Sequence, residues 1–164
     1  ISLHISTTAP DASIIEIVKG LHTSDEVCEE VRRFARLIGK TAIPVQESPG
    51  LVTARLFVSF ISEACHVLME RVSDMESIDY AMRHGIGMPL GPFEMADKIG
   101  LDRVIRWMEN LYEEFGDNKY KPSPILKRLV RAGYLGRKTH KGFYAYDENG
   151  QKISANNFET NTGN

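Results

Sequence analysis

The chain changes its periodicity once, near residue 48, and that change limits what it can build. Before it, two short β-branched runs, Ser13 to Gly20 (SIIEIVKG) and Lys40 to Val45 (KTAIPV), flank one helical stretch. Thr23, Ser24 and Asp25 signal the start of that helix, Val27, Val31, Phe34, Ala35 and Ile38 its apolar face, and Gly39 its stop. Strand, helix, strand is the alternation of a mixed or parallel sheet, which has to be covered on both faces. Two or three strands and one helix cannot do that, so the β portion is incomplete as it stands.

From Ser48 to about residue 132 the pattern is helical. Ser48-Pro49-Gly50 predicts an N-cap hydroxyl followed by proline at the first helical position. Val52, Leu56, Phe57, Phe60, Ile61, Ala64, Cys65 and Leu68 then recur at three- and four-residue steps, a core stripe. Ser73-Asp74-Met75-Glu76 reads as a capping box for a second helix. A Gly/Pro-rich link from Gly85 to Pro92 leads to a third helix ending at Gly100. Asp102 is the expected cap of a fourth, which Gly116 stops, and Ser123-Pro124 opens a fifth before Gly133. Phe143 to Tyr146 reads as an aromatic strand, Asp147 to Gly150 as a turn, and the polar residues from Ala155 as a frayed tail.

Composition removes several classes of function. The 164 residues carry a formal net charge of -2, whereas a nucleic-acid footprint would show as a basic excess. The longest apolar region, Leu51 to Met69, contains Arg55, Glu63 and His66 and reads as a core helix rather than a membrane span. Cys28 and Cys65 have neither disulfide-framework nor zinc-site spacing, which fits a reducing cytoplasm. Ile1 opens the chain without a signal peptide's basic start or apolar run, and the expectation is a piece of something longer.

Few residues could carry chemistry. The segment Gly85-Ile86-Gly87-Met88-Pro89-Leu90-Gly91 has the look of a phosphate loop, but its spacing is G-x-G-x-x-x-G, Pro89 lacks an amide donor, and a helix precedes it. It is expected to be an interhelical link. His4 and Glu16 flank Pro10-Asp11, so a reversal there would lay their extended stretches side by side. Imidazole beside carboxylate suits general acid–base work; the plainer alternative is a solvated pair. His22, His66, His84 and His140 form no cluster, and no serine sits in a G-x-S-x-G elbow, so neither a metal site nor a serine triad is expected. Arg137, Lys138, His140 and Lys141 form a basic segment that is either a solvated loop or a contact to an anionic ligand.

Several of these pieces occur in a familiar order. Ser48-Pro49-Gly50-Leu51-Val52 with Arg55, Glu63-Ala64, Gly87 to Glu94 with Asp97, Gly100-Leu101-Asp102, Leu135 to Thr139 and Lys141 to Tyr144 together resemble the C-terminal half of the 3-hydroxyacyl-CoA dehydrogenase family. The resemblance spans nearly all of residues 3 to 146. It implies a mainly α fold: a helical C-terminal domain of the 6-phosphogluconate-dehydrogenase type, preceded by the last strands and helix of a truncated Rossmann α/β domain. The expected division is residues 1–47 for that NAD-binding remnant, 48–146 for a helical substrate-binding and dimerisation domain, and 147–164 for a polar tail.

The same resemblance implies NAD as cofactor, a 3-hydroxyacyl-CoA as substrate and a homodimer, with His4 and Glu16 as the catalytic pair and Lys138 reaching the cofactor. The dinucleotide loop is absent from these 164 residues, so the chain alone is expected to be inactive. Two positions depart from the family pattern, which usually has asparagine where this chain has Thr7 and Ala54. Those departures suit an alternative, a helical dimerisation or acyl-CoA-binding module with a vestigial dyad.

Overall fold

The computed structural model describes residues 1–5 and 13–155, and the chain divides into two compact units, Ile1–Leu56 and Phe57–Asn164. The expected reversal at Pro10-Asp11, the departure at Thr7 and the tail beyond Ala155 lie outside the described residues. Six α-helices and two small sheets make up the described structure, which is mainly helical.

The first unit is a three-stranded sheet with one helix. Strands β1 (Ser2–Ile5), β2 (Ile14–Val18) and β3 (Thr41–Val45) lie in the order β1-β2-β3, β1 antiparallel and β3 parallel to β2. Between β2 and β3 runs α1 (Asp25–Leu37), capped by Ser24, whose side chain accepts from the Val27 amide. It stops before Gly39, which adopts the positive φ (71°) that glycine tolerates. Successive side chains on a strand point to opposite faces. Ile15 and Ile17 therefore share one face, and they pack with Ala35 of α1, with Val31 and Ala42 beside them. Glu16 points to the other.

The apolar face of α1 is narrower than its sequence predicts: Val27, Phe34 and Ile38 are all more than a third exposed. Three short strands offer too little apolar surface to cover them. Every residue of β1 is likewise exposed.

The next helix, α2 (Thr53–Met69), corrects a second expectation. Ser48-Pro49-Gly50 does not cap it. Those residues form a turn in which the Ser48 carbonyl accepts from the Leu51 amide, with Gly50 and Leu51 both at positive φ, and the Ser48 hydroxyl accepts from Arg55. The helix starts three residues after Gly50, where a different acceptor is available.

The second unit is built on the rest of α2 with α3 (Met75–Gly85), α4 (Pro92–Ile99), α5 (Leu101–Phe115) and α6 (Pro124–Arg131). A hairpin of β4 (Tyr144–Tyr146) and β5 (Lys152–Ala155) closes the described chain. Val58, Ile61 and Cys65 of α2 meet Phe93, Leu101, Val104, Met108, Leu126 and Phe143 in one core. Ser123 caps α6 as expected, accepting from the Leu126 amide. Two other caps differ from expectation. Asp74, not Ser73, caps α3 and accepts from both the amide and the hydroxyl of Ser77. Asp102 caps nothing: α5 starts directly from Gly100, and Asp102 lies in its first turn.

Two buried carboxylates tie this unit together. Asp79 of α3 accepts from the Phe93 and Glu94 amides at 2.9 and 3.0 Å, so it caps α4 from a neighbouring helix, and it also accepts from the Tyr144 hydroxyl at 2.9 Å. Asp97 of α4 accepts from the Phe143 and Tyr144 amides and the Tyr146 hydroxyl, each at 2.9 Å. A Cβ on Gly91 would overlap Asp79, and one on Gly142 would overlap Asp97. The Gly85–Pro92 link is thus interhelical, as its spacing implied, and its last glycine is required by the carboxylate packed against it.

Candidate active site

In the first unit the strand register places His4 directly opposite Glu16. Opposed residues of an antiparallel pair project from the same face with Cβ atoms roughly 5 Å apart. His4 and Glu16 therefore lie side by side on neighbouring strands.

The two side chains differ in environment. His4 is exposed, whereas Glu16 is 1% exposed. A buried carboxylate needs compensating donors, and the start of α2 supplies them. Oε1 accepts from the backbone amides of Val52 at 2.9 Å and Thr53 at 3.1 Å; Oε2 accepts from the Thr53 hydroxyl at 2.8 Å. Glu16 is thus the acceptor that opens α2, satisfying amides that have no partner within the helix, at the end where the helix dipole favours negative charge. No sequence signal pointed to this, because the donors lie 36 and 37 residues further along the chain.

No hydrogen bond joins His4 to Glu16 among the described residues; His4 faces a carboxylate already held on both oxygens. Ala54, the second position that departs from the family pattern, is buried in the first turn of α2. It offers no polar group there.

The basic segment lies in the second unit, where a 3-10 turn spans Arg137–Thr139. Its charges are engaged within that unit. Arg137 donates to Glu94 at 2.7 Å, and Lys138 Nζ donates to both oxygens of Asp102 at 2.6 and 2.7 Å, which holds the Asp102 carboxyl below the usual carboxylate range against the effect of burial. Lys141 donates to the Tyr134 hydroxyl. Among the described residues no group of three or more His, Cys, Asp and Glu side chains could hold a metal ion, and no helix is long and apolar enough to cross a membrane.

A small αβ unit followed by a helical one is also the order in which the comparisons match the chain. Residues 1–48 match the model of the 3-hydroxyacyl-CoA dehydrogenase NAD binding domain, and residues 50–146 that of the 3-hydroxyacyl-CoA dehydrogenase C-terminal domain.

The chain belongs to the 3-hydroxyacyl-CoA dehydrogenase family. It is 40% identical over 148 residues to a probable 3-hydroxybutyryl-CoA dehydrogenase of Bacillus subtilis, covering 90% of this chain and 52% of that protein. It is 38% identical to the 3-hydroxybutyryl-CoA dehydrogenase of Bradyrhizobium diazoefficiens, covering 89% and 50%. Among solved structures, the (S)-3-hydroxybutyryl-CoA dehydrogenase of Ralstonia eutropha matches with a TM-score of 0.82 at 41% identity, over 89% of this chain and 52% of that one. The chain thus spans about half the length of the relatives it matches. The NAD binding domain match bears out the expectation of NAD as cofactor.

Proposed function

We propose that the chain is the C-terminal part of an NAD-dependent 3-hydroxyacyl-CoA dehydrogenase that oxidises the 3-hydroxyl of an acyl-CoA to a 3-ketone. The observation that carries this reading is the register of His4 against Glu16, with the Glu16 carboxylate held by the first turn of α2. In this reading His4 accepts the proton of the substrate 3-hydroxyl, and Glu16 stabilises the imidazolium that results. A bound nicotinamide supplies the hydride acceptor for C3. The imidazolium then returns its proton to solvent.

This chain's own share of the cofactor site is limited. It contains no glycine-rich phosphate loop, and Lys138, the residue proposed to reach the cofactor, is held in an ion pair with Asp102. Engagement of NAD by Lys138 would require that pair to open or to be shared. Residues 1–47 are read as the end of a Rossmann domain, and 48–146 as a helical domain of the 6-phosphogluconate-dehydrogenase type that closes on the acyl-CoA and forms a homodimer in the cytoplasm. The expected polar tail begins later than residue 147, because residues 147–155 form the turn and second strand of the hairpin with β4.

Ala54 favours a second reading. A buried methyl group stands where the family usually has asparagine, which suits a helical module that binds acyl-CoA or dimerises with a vestigial dyad.

One assay separates the two. The whole protein that carries this sequence is expected to form NADH from (S)-3-hydroxybutyryl-CoA, and His4→Ala to lower kcat by about a hundredfold or more, the usual contribution of a general base. The 164-residue chain alone is expected to form none. Full activity in the alanine variant would remove His4 from the mechanism, and an inactive wild-type protein that still binds acyl-CoA would establish the module.

A further inference from the structure

We propose that Thr53 is a positioning residue of the His4–Glu16 pair and acts through Glu16 Oε2; the inference rests on the dyad reading above. A carboxylate oxygen accepts about two hydrogen bonds. Oε1 already accepts two, from the Val52 and Thr53 amides, and Oε2 accepts one, from the Thr53 hydroxyl. The acceptor capacity left to Glu16 is therefore on Oε2, and His4 stands opposite it on the neighbouring strand. In the proposed dyad the imidazole would therefore share that oxygen with Thr53.

Two consequences follow from that sharing. The backbone amides fix one end of the carboxylate, and the hydroxyl fixes its rotation, so that the open side of Oε2 has a single direction. The hydroxyl also draws charge from the oxygen that the imidazole must use, because a hydrogen bond to the charged form stabilises it and weakens it as an acceptor. Thr53 thereby limits how strongly Glu16 favours imidazolium over imidazole. A residue that only capped α2 would have no such effect, since the two amides would remain.

The test uses Thr53→Val, which keeps the shape and removes the hydroxyl, and Thr53→Ser, which keeps the hydroxyl, in the whole protein. In the valine variant the imidazole titration of His4, followed by NMR, is expected to move upward by roughly half a pH unit, about threefold in the equilibrium. The low-pH limb of the kcat profile should move with it, and the serine variant should restore both. If Thr53→Val fails to fold, Thr53→Ala with the same serine control takes its place. An unchanged His4 titration in the variant lacking the hydroxyl would overturn the proposal. The dyad reading is judged separately by His4→Ala. Loss of activity there with no Thr53 effect would leave the reading standing and the inference refuted, whereas retained activity would refute the reading and with it the positioning role of Thr53, even if the titration shifts.

Discussion

Replacing Asp97 with alanine should destabilise the second unit by an amount that depends on pH in a defined direction. The variant orphans three donors, the amides of Phe143 and Tyr144 and the Tyr146 hydroxyl. At about 1–3 kcal/mol for each buried group left unsatisfied, the penalty is several kcal/mol. An opposing effect sets the pH dependence. Burial pushes the Asp97 carboxyl up to about 7 from an ordinary 3.8, against the pull of its three donors. Between those values the native state binds a proton that the unfolded state has released, so this group's contribution to stability falls as pH rises from about 4 to about 7.

A rise of about three pH units at about 1.4 kcal/mol each corresponds to about 4 kcal/mol. Alanine has no such proton. The penalty of Asp97→Ala is therefore expected to be largest at about pH 4 and below and to shrink by up to that amount by pH 8. Urea unfolding at several pH values measures it, with Trp107, the only tryptophan and packed against this core, as the fluorescent probe. Asp97→Asn, which keeps one oxygen acceptor, serves if the alanine variant does not fold. A penalty that stays constant, or grows toward pH 8, would refute the reasoning. It would mean that three donors stabilise the ionised carboxylate by at least as much as burial costs it.

Other outcomes follow from the same packing. Gly142→Ala drives a methyl group into the Asp97 carboxylate and Gly91→Ala into Asp79, so each should cost on the order of 1–3 kcal/mol or more in chemical denaturation. Gly85→Ala, at the end of α3 with nothing within 4 Å of the added carbon, should instead be neutral or stabilise by up to ~1 kcal/mol. Burial pushes the Cys65 thiol up to about 12, so in a Cys28→Ser background a disulfide reagent at pH 8 should label the native protein only as fast as it unfolds. Prompt stoichiometric labelling would contradict the burial argument.

Local chemistry was legible in the sequence and distant partnership was not. The strand placement of His4 and Glu16 followed from two extended stretches on either side of Pro10-Asp11, and Ser24, Gly39, Ser123 and Gly133 marked helix ends through bonds made within a few residues. The cap of α3 was misplaced by one position because Ser73 and Asp74 are both competent, and only the backbone decides which is used. Glu16 as the acceptor for α2, and Asp79 as the cap of α4, gave no local signal. Each lies in one element and serves amides of another. Asp97 was visible as part of a familiar segment, but its role depends on residues 46 to 49 positions later. The glycines were the available clue: Gly91 and Gly142 sit where no turn type demands them, which hints at a close approach.

Asp79 and Asp97 also impose an order of assembly. During synthesis α3 and α4 leave the ribosome well before Phe143 to Tyr146, and until those residues emerge Asp97 has none of its three donors and Asp79 lacks its tyrosine. The helices can collapse earlier, but with carboxylates that must stay in contact with water. The aromatic strand thus acts as a late latch, and a nascent chain halted before residue 143 would hold its helices together without sealing their core.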